Sequence, residues 1–172
     1  MLVAVVGPSG AGKDTVLDGL RAALAAEPRF VFIRRAVTRP AAAGGEAHEA
    51  LTPAEFARRD FALQWRAHGL DYGIPDIRPA LAAGQVVLAN LSRRVLAEAA
   101  ARYPLAVLEI TAPPAILAAR LAARGRESAA DIEARLARDA PLPPGLRLLR
   151  VINDTTPEAA IAQAAALLRA LD

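Results

Sequence analysis

One nine-residue stretch limits what this chain can fold into more than any other: Gly7-Pro8-Ser9-Gly10-Ala11-Gly12-Lys13-Asp14-Thr15. A continuous apolar run, Leu2–Val6, precedes it, and apolar residues at helical spacing follow it: Val16, Leu17, Leu20 and Leu24. A short apolar run that stops at glycine reads as a strand buried on both faces, as in a parallel sheet. Glycines after such a strand let backbone N–H groups turn inward onto phosphate oxygens, and the helix that follows adds its partial positive charge. Gly7, Gly12 and Lys13 fit the spacing G-x-x-x-x-G-K-[ST]. Gly7, Ser9, Gly10, Ala11, Gly12, Lys13, Asp14 and Thr15 are therefore candidate contacts for nucleotide phosphates. The competing reading is a glycine-rich turn with no ligand.

Two residues in the stretch carry more information. Lys13 is the sole lysine; the rest of the 21 lysine and arginine residues are arginine. A slender ammonium can reach between the β- and γ-phosphates, where a broad guanidinium fits poorly. Asp14 stands where the spacing wants Ser or Thr for Mg²⁺. Two roles are open to it: holding Mg²⁺ through water, which suits a carboxylate and a hard cation, or favouring the helix N-terminus electrostatically. In the first case Thr15 contacts a nucleotide phosphate.

Beyond the loop, the spacing predicts a helix over 14–26 and a short strand over 31–33. Buried strands are expected over 86–89 and 105–110, with helices following at 92–102 and 113–123. A helix over 131–139, a proline-rich loop at 141–145, a last strand over 148–152 and a closing helix over 157–171 complete the series. Strands alternating with helices imply a doubly wound α/β domain with a mainly parallel sheet. Residues 34–83 read differently, as a polar, irregular insertion large enough to hold a second substrate. Its one clear element is a helix start at Thr52-Pro53-Ala54-Glu55, where Thr caps and Glu lies three residues on.

Composition narrows the partners. At 172 residues the chain suits a single domain. No cysteine is present, which excludes disulfides, thiol catalysis and cysteine-held metals, and two histidines make a histidine metal site improbable. The net charge is +3 and the arginines are scattered without interleaved aromatics, so anionic small molecules are expected rather than nucleic acid. The opening apolar run meets Gly7-Pro8 too early for a signal peptide or a membrane span. No membrane partner and a cytoplasmic location are expected; the oligomeric state is not readable.

An ordered set of further segments resembles the guanylate-kinase family. It comprises Gly7–Leu17, Arg35-Ala36-Val37-Thr38-Arg39-Pro40, Gly44-Gly45-Glu46, Trp65…His68-Gly69…Tyr72-Gly73-Ile74-Pro75, Arg120-Leu121…Arg124-Gly125-Arg126-Glu127-Ser128, Ile132-Glu133…Arg135-Leu136 and Val151-Ile152-Asn153-Asp154. The resemblance spans nearly the whole chain. It implies a P-loop kinase domain over 1–172 with a mainly parallel sheet, helices on both faces, an inserted acceptor-binding segment at about 34–83 and a lid at about 124–139. It further implies that ATP is the phosphoryl donor with Mg²⁺, that Arg35, Arg39 and Tyr72 hold the acceptor's phosphate, and that Asn153 lies beside the adenine. Arg120, Arg124, Arg126 and Arg135 would close with the lid: Arg120 on the donor, Arg126 on the acceptor, and Arg124 and Arg135 on the transferring group with Lys13.

The departures from that family are informative. Guanylate kinases read guanine with a glutamate in a Leu-Glu-Trp segment; here it is Leu63-Gln64-Trp65. A neutral amide cannot accept two N–H bonds from guanine as a carboxylate does. Their Tyr-His-Phe run is replaced by His48-Glu49-Ala50, and their Asp-Ile-Asp by residues around Asn90-Leu91-Ser92-Arg93. The phosphate clamp survives and the guanine reader does not. With Gly7–Asp14, Thr38-Arg39, Glu46-Ala47-His48, Ala62–Gly73, Asn90–Arg93 and Arg124–Glu127, the pattern is similar to the ribose 1,5-bisphosphate phosphokinases. That similarity implies ribose 1,5-bisphosphate as acceptor and 5-phosphoribosyl 1-diphosphate as product. Gln64 and His48 then become acceptor-site candidates. His48 could donate to a sugar hydroxyl or phosphate, or serve structurally. Trp65 reads as core, His68 as a turn, and Arg21, Arg29, Arg58, Arg59 and Arg102 as solvated surface charges. The rival readings are a nucleoside monophosphate kinase, an inactive guanylate-kinase-like module that binds a partner protein, and a nucleotide-dependent switch.

Overall fold

The computed structural model describes residues 1–40, 47–123 and 142–171. Along the chain run β1 (Leu2–Val6), α1 (Lys13–Ala23), β2 (Phe30–Phe32), β3 (Ala36–Val37), β4 (Glu49–Ala50), α2 (Pro53–Phe56), β5 (Leu63–Ala67), β6 (Leu70–Ile74) and α3 (Arg78–Ala82). Then come β7 (Val86–Asn90), a 3₁₀ turn (Arg93–Val95), α4 (Leu96–Arg102), β8 (Leu105–Thr111), α5 (Pro114–Ala123), β9 (Arg147–Ile152) and α6 (Pro157–Arg169).

Five strands form the large sheet in the order β2-β7-β1-β8-β9, and every neighbouring pair is parallel. The sequence of β1 explains its central place: all five residues are buried, and alternate side chains serve opposite cores. Val3 and Val5 pack with Leu88, Leu108 and Ile110 against α1 and α6. Leu2, Ala4 and Val6 pack with Val87, Ala89 and Val107 on the other face, against Leu96 and Ala99 of α4 and Leu63 and Ile74 of β5 and β6. The chain leaves β1 toward β2 on one side, while β8 and β9 lie on the other. The strand order therefore reverses between β1 and β8, and an open parallel sheet binds ligands beyond the carboxyl ends at that point.

Residues 34–83 differ from the irregular insertion expected of them. They hold a second, four-stranded sheet in the order β4-β3-β6-β5. Pairs β3–β6 and β5–β6 are antiparallel, and β3–β4 is parallel. Two of these strands are only two residues long, too short to show a period of two in the sequence. The expected helix start is present as a capping box. The Thr52 hydroxyl accepts from Glu55 N–H, and the Glu55 carboxylate accepts from Thr52 N–H. These bonds, the backbone one first, hold the Glu55 carboxyl below its ordinary range.

Four of the arginines read as solvated charges have structural partners, Arg102 among them on Glu98 and over the Tyr103 ring. Arg21 lies over the Phe32 ring, and Arg59 pairs with Glu49 and lies over Phe61. Arg29 caps α6: its Nη2 donates to the carbonyls of Leu168, Arg169 and Leu171 at 3.0–3.1 Å. A cation at a helix C-terminus satisfies orphan carbonyls and complements the dipole. Arg29→Ala is expected to cost about 1 kcal/mol, because water can replace part of the lost bonding at this exposed site. Urea unfolding measures it, and an unchanged midpoint would show that the cap contributes nothing. Among the described residues, no helix is long and apolar enough to cross a membrane.

Candidate active site

The loop between β1 and α1 wraps the carboxyl end of β1. Gly12 caps α1 with φ +83° and no side-chain bond, so the helix N-terminus is left open to a ligand. A Cβ at Gly12 would stand 2.6 Å from Asn153 Nδ2, so only glycine fits. Asn153 closes this contact from the end of β9. It is 4% exposed, its Nδ2 donates to the Ala11 carbonyl at 2.9 Å, and its backbone N–H donates to Thr111. Asn153, expected beside the adenine, thus holds the loop itself. Its Oδ1 is buried with no hydrogen-bond partner among the described residues. Lys13 Nζ donates to the carbonyls of Gly7 and Pro8 at 2.7 and 2.9 Å, bending back over its own loop. Asp14 is half-buried beside it in the first turn of α1, and Thr15 is exposed. Among the described residues, no three His, Cys, Asp or Glu side chains gather to hold a metal. A lone carboxylate next to the phosphate loop suits Mg²⁺, which keeps several waters and takes the rest of its ligands from phosphates.

The small sheet supplies the second half. Trp65 and Tyr72 are cross-strand partners, and their rings stack 5.3 Å apart with planes 4° from parallel. The Arg35 guanidinium lies 5.1 Å from the centre of the Tyr72 ring. This stack shares its face with Leu63 and Ile74, which pack onto the large sheet. The aromatic stack, with Arg35 on it, is thereby on the side of the small sheet that faces the large one. Arg39 and His48 meet nearby: Arg39 Nη2 lies 3.4 Å from His48 Nδ1, and His48 Nε2 lies 3.2 Å from the Arg39 carbonyl. A guanidinium only donates and a carbonyl only accepts, so this arrangement assigns Nδ1 as acceptor and Nε2 as the protonated nitrogen.

Arg35, Tyr72, Arg39 and His48 are therefore gathered in two contacting pairs. Gln64 is not among them. It pairs with Gly73 on the opposite face of β5, where the Phe61 ring packs on Gly73, and it is exposed. Trp65 is half-buried against the core, as its sequence context suggests, and His68 occupies a turn with φ +52°. Arg120, on α5, has a buried Nη1 with no hydrogen-bond partner among the described residues, as has the Nε of Arg39. Arg124, Arg126, Arg135 and the expected lid at 124–139 lie outside the described residues, as does Glu46. Sequence reasoning missed Glu109, a 7%-exposed carboxylate within β8 that binds Arg93 and Arg150. The available signal was a glutamate inside an otherwise apolar strand.

A family profile described as an AAA domain matches residues 2–139. A ribose 1,5-bisphosphate phosphokinase of Acidiphilium cryptum is 56% identical over 160 residues, covering 92% of this chain and 87% of that protein. One from Methylobacterium radiotolerans is 49% identical, covering 98% of this chain and 97% of that protein. A bifunctional ribose 1,5-bisphosphokinase-thymidine phosphorylase of Azorhizobium caulinodans is 52% identical across 91% of this chain, which spans only 24% of that longer protein. Among solved structures, a guanylate kinase from Anaplasma phagocytophilum has a TM-score of 0.70 at 18% identity, covering 99% of this chain and 84% of that one. A gluconokinase from Sinorhizobium meliloti has a TM-score of 0.55 at 18% identity, with 98% and 91% covered. At such identities these two structures speak for the fold alone.

Proposed function

The chain belongs to the ribose 1,5-bisphosphate phosphokinase family, and we propose that it transfers the γ-phosphoryl group of ATP to the 1-phosphate of ribose 1,5-bisphosphate. The products would be ADP and 5-phospho-α-D-ribosyl 1-diphosphate. The supporting observation is the pairing of an open phosphate loop with a cationic acceptor face, Arg35 on Tyr72 and Arg39 on His48, while the guanine-reading position is a neutral, outward-facing Gln64. A phosphorylated acceptor without that base fits this arrangement better than GMP.

The nucleophile is an oxygen of the acceptor's 1-phosphate, which is ionised at neutral pH. It attacks the γ-phosphorus as the bond to the β–γ bridging oxygen breaks, and that oxygen leaves with ADP. No general base is required, so catalysis is positioning and charge neutralisation. Lys13 would turn from the Gly7 and Pro8 carbonyls to the β- and γ-phosphates, with the loop N–H groups around them. Arg120 and Arg39 each keep a buried N–H that lacks a partner among the described residues, which suits an incoming anion. Arg35, Arg39 and Tyr72 would grip the acceptor's phosphates, Arg126 would join them, and Arg124 and Arg135 would neutralise the transferring group. Asp14 would hold Mg²⁺, directly or through water; when bound, the ion neutralises the β- and γ-oxygens. A cytoplasmic location fits this reading.

A coupled ADP-release assay with ATP, Mg²⁺ and a panel of acceptors tests it. Turnover with ribose 1,5-bisphosphate at least about a hundredfold above that with GMP is expected, since an unpaired polar edge in a built site costs that much. Efficient GMP turnover with none of the sugar bisphosphate would overturn the proposal. ATP binding without turnover of any acceptor would point to a binding module.

A further inference from the structure

Glu109 is the one buried carboxylate among the described residues, and nothing in the phosphate-loop chemistry above uses it. In register it stands beside Val6 of β1 on one side and Arg150 of β9 on the other, at the point where the strand order reverses. Alternation puts its side chain on the same face as Val107, which belongs to the core shared with the small sheet. Glu109 thus stands beside the last residue of β1 before the phosphate loop, on the sheet face that packs against the small sheet. Its Oε1 accepts from Arg93 Nη2 at 3.0 Å and its Oε2 from Arg150 Nε at 2.7 Å. Arg93 follows β7, whose end is tied to β1 by a bond from Leu91 N–H to the Val5 carbonyl. The Arg93 side chain is 11% exposed and that of Arg150 is 57% exposed.

A carboxylate near two polyanions would repel them. Here each of its oxygens is taken by an arginine, and the trio carries one net positive charge. Each guanidinium has five N–H donors in a fixed fork, and its bond to Glu109 orients that fork. Two arginines brought this close repel each other unless a carboxylate lies between them. Glu109 is what allows both cations to stand at one place.

We propose that Glu109 is a positioning residue, and that it presents Arg93 and Arg150 as a fixed cationic pair that receives a phosphate group of the acceptor. This rests on the phosphotransferase reading above and assigns part of the acceptor site to the large sheet. Glu109 itself touches no substrate. It acts through Arg93 and Arg150.

The test is a mutant cycle in the full-length protein, with steady-state kinetics in both substrates and a thermal melt of each variant. Glu109→Gln is expected to raise KM for ribose 1,5-bisphosphate about tenfold to a hundredfold, with KM for ATP changed by less than about threefold. Arg93→Met should do the same, and the double variant should lose less than the product of the two single losses, since part of the Glu109 effect runs through Arg93 and the rest through Arg150. Losses that multiply, or an unchanged acceptor KM in a folded Glu109→Gln protein, overturn the proposal. If Glu109→Gln does not fold, the exposed Arg150→Gln decides: a rise in acceptor KM of about threefold or more supports it, and no rise refutes it. If the acceptor is another phosphate ester, the phosphokinase reading fails while the same cycle, run with that acceptor, still decides. Should nothing turn over, calorimetric titration with pyrophosphate while ADP fills the donor site replaces the kinetics. Equal affinities of wild type and Glu109→Gln then refute the proposal.

Discussion

Lys13→Ala is expected to lower turnover by about a thousandfold or more while leaving a folded protein. The two halves of this expectation have different causes. Lys13 Nζ donates to two carbonyls of its own loop. Those carbonyls lie near water, so their loss costs about 1 kcal/mol, and the melting temperature should move by only a few degrees. In the transfer step the same ammonium faces charge shifting from the γ-phosphoryl group to the β-phosphate oxygen. The helix N-terminus behind it, open at Gly12, cannot supply a mobile full charge. Lys13→Arg is expected to restore little, because the broader guanidinium cannot follow the ammonium's path between the phosphates. The coupled ADP-release assay reads both variants. Activity above about a tenth of wild type in Lys13→Ala would sink the assignment of this loop to phosphoryl transfer.

How much of this could be read beforehand depends on the element. β1 was readable because all five of its residues are apolar and buried, and a central parallel strand has no other appearance. The phosphate loop was readable because its glycines are demanded by backbone geometry rather than by packing. The small sheet was hidden because its strands are short and its pairing is non-local: β3 is two residues long and finds its partners at Glu49–Ala50 and Tyr72–Gly73. No local pattern encodes such contacts. Among side chains, Arg35, Arg39 and Tyr72 were nameable from motif order, but the partner each one touches was not. His48 is the clearest instance. Its position pointed to the acceptor, and the structure adds that both of its ring nitrogens face Arg39. Arg29 looked like any surface arginine until the end of α6 was placed beside it. Gln64 illustrates the converse. Its chemical neutrality was visible in the sequence, but its position across the sheet from Tyr72 depends on strand register.

Gly7→Ala should be the most damaging single methyl addition among the described glycines. Gly7 is where β1 hands the backbone to the loop, and its φ of +151° is a conformation that L side chains rarely adopt. A Cβ built there would overlap the carbonyl oxygen of Ile110 in β8. That oxygen belongs to a buried strand of the large sheet and cannot swing aside as a side-chain tip could. Relief must come from the loop, at a cost of about 4 kcal/mol from backbone strain and overpacking together. Urea unfolding should show a lower midpoint with an unchanged slope. The functional consequence goes beyond stability. The Gly7 carbonyl accepts from Lys13 Nζ, and the loop continues from Gly7 to the Ala11 carbonyl held by Asn153. Moving the first residue displaces the lysine's anchor and pulls the loop N–H groups away from where the phosphates must sit. Turnover per folded molecule, measured at a temperature where the variant remains folded, is therefore expected to fall about a hundredfold. A variant that keeps wild-type stability to within about 1 kcal/mol, or wild-type turnover once corrected for folded fraction, would show that β8 does not press on the loop as described.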